Sequence, residues 1–262
     1  MDLKIAGNSA LVTASSDGLG KAAASAMVEE GVNVVINGRN KQKLSDTQKE
    51  LSAIEGGDVV AVRGDLMDAD DLVNLVAETV DTFGGIDHLV TSAGGPPSGP
   101  FLDIATDEWY AAYDLLVMSV VRLVKEAAPH LQVGGGTIVN ITSRSVKEAI
   151  DGLVLSNSVR MGVIGLEKTL SKELAPDVRA NAVLPGPHET ARIRELVEQE
   201  VERGDVGSYE EGLAAKGENI PVGHIGDAMG LGHTVAFLSS PLTSFINGTA
   251  IPIDGGLGSS NL

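Results

Sequence analysis

The chain has no cysteine among its 262 residues. That absence excludes disulfides, thiolate nucleophiles and zinc sites built on sulfur. The five histidines are scattered, with no H-x-x-x-H pair or comparable ligand spacing, so no metal is expected. Basic residues are few: 19 Lys and Arg stand against 36 Asp and Glu, a formal net charge of −17. Such a balance repels nucleic acid and anionic membranes. A solvated surface accounts for the acidity, and a salt-rich cytoplasm is one setting for it; composition does not separate these. No apolar run reaches the roughly 18 residues of a membrane span. The opening "MDLKIAGNSALVTA" lacks the basic-then-apolar layout of a signal peptide, so a soluble cytoplasmic protein is expected.

What the chain does have is apolar residues, 43% of the total, enough for a sizeable core in one domain spanning 1–262. Short Val- and Ile-rich runs recur: "ALVTA" at 10–14, "VNVVIN" at 32–37, "DVVAVR" at 58–63, "HLVTSA" at 88–93, "GTIVNIT" at 136–142, "ANAVLPG" at 180–186 and "GTAIPID" at 248–254. Strands without polar alternation are buried on both faces, and helical segments follow them. After Asp68, for example, Leu72, Leu75, Val76, Val80 and Phe83 fall on one stripe. The pattern predicts an α/β fold, a Rossmann-type doubly wound sheet of about seven parallel strands with helices on both faces. Residues 187–226 are strongly charged and show no strand, which reads as a helical flap over the carboxyl edge of the sheet, where a substrate pocket would lie.

The first strand runs into "TASSDGLGKAAASAMVEEG". Gly18 and Gly20 open a helix directly after a buried strand, so backbone N–H groups can meet a pyrophosphate with no side chain in the way. The second strand ends "VVINGRN". A site selective for NAD would carry Asp or Glu near Gly38; here the charged group is Arg39, which suits the 2′-phosphate of NADP. NADP is therefore expected over NAD. Asp17 opposes that choice if its carboxylate faces the same phosphate, and Arg39 could also be a solvated loop charge.

These residues resemble the short-chain dehydrogenase/reductase family, with a flavour of its 3-oxoacyl-carrier-protein reductase-like members. The resemblance rests on "TASSDGLG" for the glycine motif, "GDL" at 64–66 for the adenine-contacting Asp, and "TSAGG" at 91–95 for the N-A-G strand end. It rests further on "IVNITS" at 138–143 for the strand bearing the catalytic serine, "NAVLPGPHET" at 181–190 for the nicotinamide loop, and "IPIDGG" at 251–256. It implies that Thr13, Ser15, Ser16, Gly18, Leu19, Gly20, Arg39, Asp65, Leu66, Ala93, Gly94, Arg160, Pro185 and Gly186 hold the cofactor. Ser143, Ser156 and Arg160 would form the catalytic centre.

Four departures stand out. Ala14 replaces the first glycine of the loop, tolerable at negative φ. Leu116 replaces an asparagine that organises a proton-relay water. Counting from Ser143, the family's Tyr falls on Ser156 and its Lys on Arg160. A serine hydroxyl is too weak an acid to replace tyrosine, and Arg stays charged at any ordinary pH. The i,i+4 spacing nevertheless puts Ser156 and Arg160 on one helix face.

Three readings of the centre follow. Ser143, Ser156 and Arg160 could polarise a carbonyl while water or another group, with His188 as the best candidate, gives the proton. The fold could bind NADP(H) without turnover, as a sensor or partner subunit. Tyr209 could swing in from the flap. Arg144 and Lys147 are either surface charges or a grip for an anionic substrate such as a sugar acid or a carrier-linked acyl group. An oxidoreductase acting on a carbonyl or secondary alcohol leads, with a non-catalytic NADP(H)-binding protein as the alternative. Family members of this length pair through helices at about 106–132 and 152–175 and the C-terminal strand. A homo-oligomer, dimer or tetramer, is expected, with extra apolar positions at Leu115, Val120, Leu123, Val163, Leu166 and Leu170, some of which must simply cover the sheet.

Overall fold

A computed structural model describes residues 1–260. In chain order these form β1 (Ser9–Val12), α1 (Gly18–Glu29), β2 (Asn33–Gly38), α2 (Lys41–Leu51), β3 (Val59–Arg63), α3 (Ala69–Phe83), β4 (His88–Thr91), α4 (Thr106–Tyr113) and α5 (Ser119–Gly134). Then come β5 (Gly136–Ile141), α6 (Val154–Glu173), β6 (Val178–Pro185), β7 (His188–Glu189), α7 (Ala191–Arg203), α8 (Tyr209–Gly217), β8 (Gly226–Asp227), α9 (Ala228–Ser239) and β9 (Ala250–Ile253). Seven strands pair in parallel in the order β3-β2-β1-β4-β5-β6-β9. The order reverses between β1 and β4, and their carboxyl ends therefore splay apart into a crevice.

Every residue of β1, β4 and β5 is buried, as their unbroken apolar runs require. One face of the sheet packs against α3, α5 and α6 through residues such as Leu75, Leu123 and Val163. The other packs against α1 and α9 through Met27 and Val235. The closeness of α1 and α9 depends on Gly232, where a Cβ would come within 2.3 Å of the Ala22 carbonyl oxygen. The α3 stripe holds, with Leu72, Leu75 and Val76 buried beneath an Asp68 cap that accepts from the amides of Asp70 and Asp71.

Three expectations need correction. The helix predicted over 106–132 is interrupted by a π-turn at Asp114–Met118, braced by an Asp114–Arg122 ion pair of 2.8 Å. Residues 187–226 do contain strand: β7 pairs in parallel with β8, which begins at Gly226. Two-residue strands bury too little to leave an apolar run in the sequence. Finally, Val120, Leu123, Val163 and Leu170 are spent in the core, with Leu115 and Leu166 half-buried against it. The apolar groups left exposed in this region are instead Tyr110, Tyr113 and Met161.

Candidate active site

The crevice between β1 and β4 opens into a cleft of about 390 Å³, lined by Gly18, Leu19, Gly20, Ala93, Gly94 and Arg160 among others. Asp17 caps α1 by accepting from the Gly18 amide at 2.7 Å, and Gly18 takes φ +56°. At Gly20 a Cβ would lie 2.5 Å from the Ala14 carbonyl oxygen, so only glycine lets the loop fold back on its own helix. The expectation of negative φ at Ala14 fails. Its φ is +45°, because the turn is built for the left-handed conformation whichever residue fills it.

Of the other expected cofactor positions, Leu19, Ala93, Gly94 and Arg160 line the cleft, whereas Thr13, Ser15, Ser16, Arg39, Asp65, Leu66, Pro185 and Gly186 do not. Thr13 ties the ends of β1 and β4, its hydroxyl donating to the Ser92 carbonyl at 2.8 Å and accepting from the Ser92 amide at 2.9 Å. Ser15 is 0% exposed, and its hydroxyl and amide are both spent on the β1–β2 seam, so it offers nothing to a nucleotide. Leu66 likewise belongs to the core. Ser16 sits where a Cβ on Gly38 would reach, 2.6 Å from its Oγ. Arg39 is largely exposed beside Asp65, 3.6 Å away. Pro185 ends β6 against Ile253, and Gly186 packs so tightly on Asp254 that a Cβ would come within 2.7 Å.

Helix α6 carries the two substituted positions. Ser156 is 7% exposed and its Oγ lies 3.0 Å from Ser145 Oγ. Ser145 in turn donates its amide to Ser143 Oγ at 3.1 Å, closing the short turn that follows β5. Ser145 was not anticipated; in sequence it is one more serine in a serine-rich turn. Arg160 is 8% exposed, with Nε buried and lacking a hydrogen-bond partner among the described residues. Burial pushes its pKa down to about 10, with no neighbouring carboxylate acting on it. It lines the cleft and also a small cavity of about 10 Å³, shared with Thr91, Ser119 and Leu116. Leu116 thus sits at the π-turn, at the position where the resemblance implies asparagine.

The candidate helpers are engaged elsewhere. His188 is buried on β7, its Nδ1 2.9 Å from the Gly186 carbonyl oxygen, and it lines a separate cavity of about 340 Å³ with Ile220 and His224. Like Ser143 and Ser156, it is not among the residues that line the cleft. Tyr209 donates to Glu189 at 2.8 Å; desolvation and that bond raise its pKa, the wrong direction for a proton relay. Arg144 is neutralised by an ion pair with Glu148, and Lys147 lines a different cavity beside Asp254. Two residues that do border the cleft were not singled out: Thr190, which ends the quoted stretch 181–190, and Ala191, the first residue of α7.

A family model described as enoyl-(acyl carrier protein) reductase matches residues 13–258. The chain belongs to the short-chain dehydrogenase/reductase family. It is 31% identical to the 3-oxoacyl-[acyl-carrier-protein] reductase of Staphylococcus aureus (strain N315), over 95% of this chain and 97% of that protein. Among solved structures it is similar to the L-sorbose reductase of Gluconobacter frateurii complexed with NADPH and L-sorbose, at TM-score 0.93 and 26% identity, covering 99% and 100% of the two chains. It is similar also to the apo structure of a short chain oxidoreductase from Pseudomonas aeruginosa PAO1 containing an atypical catalytic center, at TM-score 0.90 and 27% identity over 99% of each. This family member is accordingly an oxidoreductase of the NAD(P)-dependent kind. Among its described residues no helix is long and apolar enough to cross a membrane.

Proposed function

We propose that the protein is an NADP(H)-dependent oxidoreductase that interconverts a carbonyl and a secondary alcohol, with Ser143, Ser156 and Arg160 at the reaction centre. The observation that carries this reading is Arg160: a buried guanidinium bordering the cleft, its Nε without a hydrogen-bond partner among the described residues. A protein keeps such a costly group where a ligand completes it. The remainder of the cleft fits a dinucleotide, since Gly18 and Gly20 clear the start of α1 and no atom would crowd a Cβ at Gly94 or Gly95.

The nicotinamide, when bound, supplies or accepts the hydride. Arg160 donates to ribose hydroxyls and lends positive charge beneath the reacting oxygen. Ser143 and Ser156 donate to that oxygen as its charge develops, an oxyanion-type role that asks for hydrogen bonds rather than proton loss. The Ser145 and Ser156 hydroxyls share one hydrogen bond; with Ser145 as its donor the Ser156 proton would be free for the substrate, and solvent water would make the final proton transfer. Preference for NADP over NAD rests on Arg39 and on Ser16 filling the space that an acidic side chain at Gly38 would need. An anionic substrate group would be gripped by Arg160, because Arg144 is already paired. A homo-oligomer would use the exposed Tyr110, Tyr113 and Met161; a chromatographic mass equal to one chain would remove that assembly.

The test is NADPH oxidation across a panel of sugars, keto acids and acyl ketones. Turnover of at least one carbonyl is expected, abolished in Ser143→Ala while NADPH binding persists. The silent-binder alternative draws on the loss of both the tyrosine and the lysine at 156 and 160. Thermal stabilisation by NADPH with no turnover in the panel would decide for it.

A further inference from the structure

Two cations follow β2 in the chain, Arg39 and Lys43, and each is tied to a carboxylate. Arg39 lies by Asp65, and the Lys43 ammonium is hydrogen-bonded to Asp17. The second pair is built into the phosphate loop. Asp17 Oδ1 caps α1, leaving Oδ2 for Lys43. Asn40 accepts from the Lys43 amide at 3.0 Å and so fixes the first turn of α2. Thr47, one turn on, donates to the Ser16 carbonyl at 2.9 Å. Helix α2 is therefore stitched to the glycine loop at two points, and Lys43 is delivered to the mouth of the cleft that Asp17 lines.

Gly38 cannot carry the ribose-binding acid of an NAD site, because Ser16 occupies its side-chain space. Asp17, in the glycine loop, lines the cleft and supplies a carboxylate. Left bare, it would repel a 2′-phosphate and accept hydrogen bonds from a free ribose diol. Neutralised by Lys43, it does neither. Both partners are partly exposed, at 50% and 37% of their side chains, so the pair is weak enough to rearrange. An ammonium on a four-carbon stem has three donors and can hold Asp17 and a phosphate oxygen together.

We propose that the Asp17–Lys43 ion pair sets the coenzyme choice: Lys43 joins Arg39 in binding the 2′-phosphate of NADP, while Asp17, once unmasked, favours NAD. This rests on the NADP-dependent reading above and adds a second cation and an opposing acid to it.

The experiment is calorimetric titration of wild type, Lys43→Ala, Asp17→Asn and Arg39→Ala with NADP⁺ and NAD⁺ at fixed ionic strength. Lys43→Ala is expected to lower the NADP:NAD affinity ratio about tenfold, a difference well within reach of one charge-assisted contact. Asp17→Asn keeps an effective cap on α1 and is expected to raise the ratio several-fold. A ratio unchanged in a folded Lys43→Ala overturns the inference. If Arg39→Ala alone collapses the ratio, the inference falls and the NADP reading stands; if wild type binds neither nucleotide, both fall.

Discussion

Replacing Arg160 with Met should make the empty protein more stable and useless for holding nucleotide. The guanidinium is buried, its Nε has no partner among the described residues, and desolvation pulls its pKa from the ordinary arginine value down to about 10. At pH 7 the group is charged in the folded and unfolded chain alike, so the folded state bears the whole penalty, about 3 kcal/mol at 1.36 kcal/mol per pKa unit. That penalty is present below pH 10 and is relieved only as pH rises from 10 towards 12.5. Met has similar volume and no charge, and it leaves no new orphan, because Thr91 already donates to Asn140 Oδ1 and Ser119 to the Leu115 carbonyl. For a chain of this size each kcal/mol moves Tm by about 2–4 °C, so a rise of about 6–12 °C without ligand is expected. The assay is thermal unfolding of wild type and Arg160→Met, each with and without NADPH. Wild type should gain stability from NADPH and the variant should not. A variant that melts below wild type without ligand would refute the reasoning, since the arginine would then be a structural asset and not a held-open binding group.

Two further stability changes follow from local physics. Ala14→Gly should raise stability by about 0.5–1 kcal/mol in urea unfolding, the relief of a left-handed alanine (about 1–2 kcal/mol) less the added freedom of the unfolded glycine; a lower urea midpoint with unchanged slope would contradict it. Glu167 is buried on α6 with Oε1 unpartnered, and desolvation raises its pKa to about 7 despite the opposing pull of Lys168. The folded chain then holds that proton more tightly than the unfolded chain, so wild-type stability falls as pH rises from about 4.5 to 7. Glu167→Gln should therefore gain about 2 kcal/mol over wild type at pH 8 and almost nothing at pH 4.5, and a pH-independent difference would refute it.

The sheet was legible because parallel strands covered on both faces must be apolar throughout, and those runs survive in the sequence whatever the loops do. The β7–β8 pair was invisible for the converse reason. The π-turn and the positive φ of Ala14 are backbone facts set by neighbours: the fold dictates them, and the side chains present merely endure them. At the site, Ser156 and Arg160 both fall on α6, where the i,i+4 spacing expected from the sequence follows from helix geometry. That spacing did not reveal Ser145, whose importance lies in a hydroxyl contact across eleven residues, nor Lys43, which reaches Asp17 from another helix. His188 was misplaced by position alone: it follows Pro185 and Gly186, but β7 pairing turns it into a cavity away from the cleft.

The central claim is that the cleft between β1 and β4 holds a pyridine dinucleotide whose ribose end completes Arg160. Titration of wild type and Arg160→Met with NADPH tests it most directly. Saturable one-to-one binding to wild type, weakened at least about tenfold in the variant, is the predicted result. Equal affinity in the two proteins would contradict it.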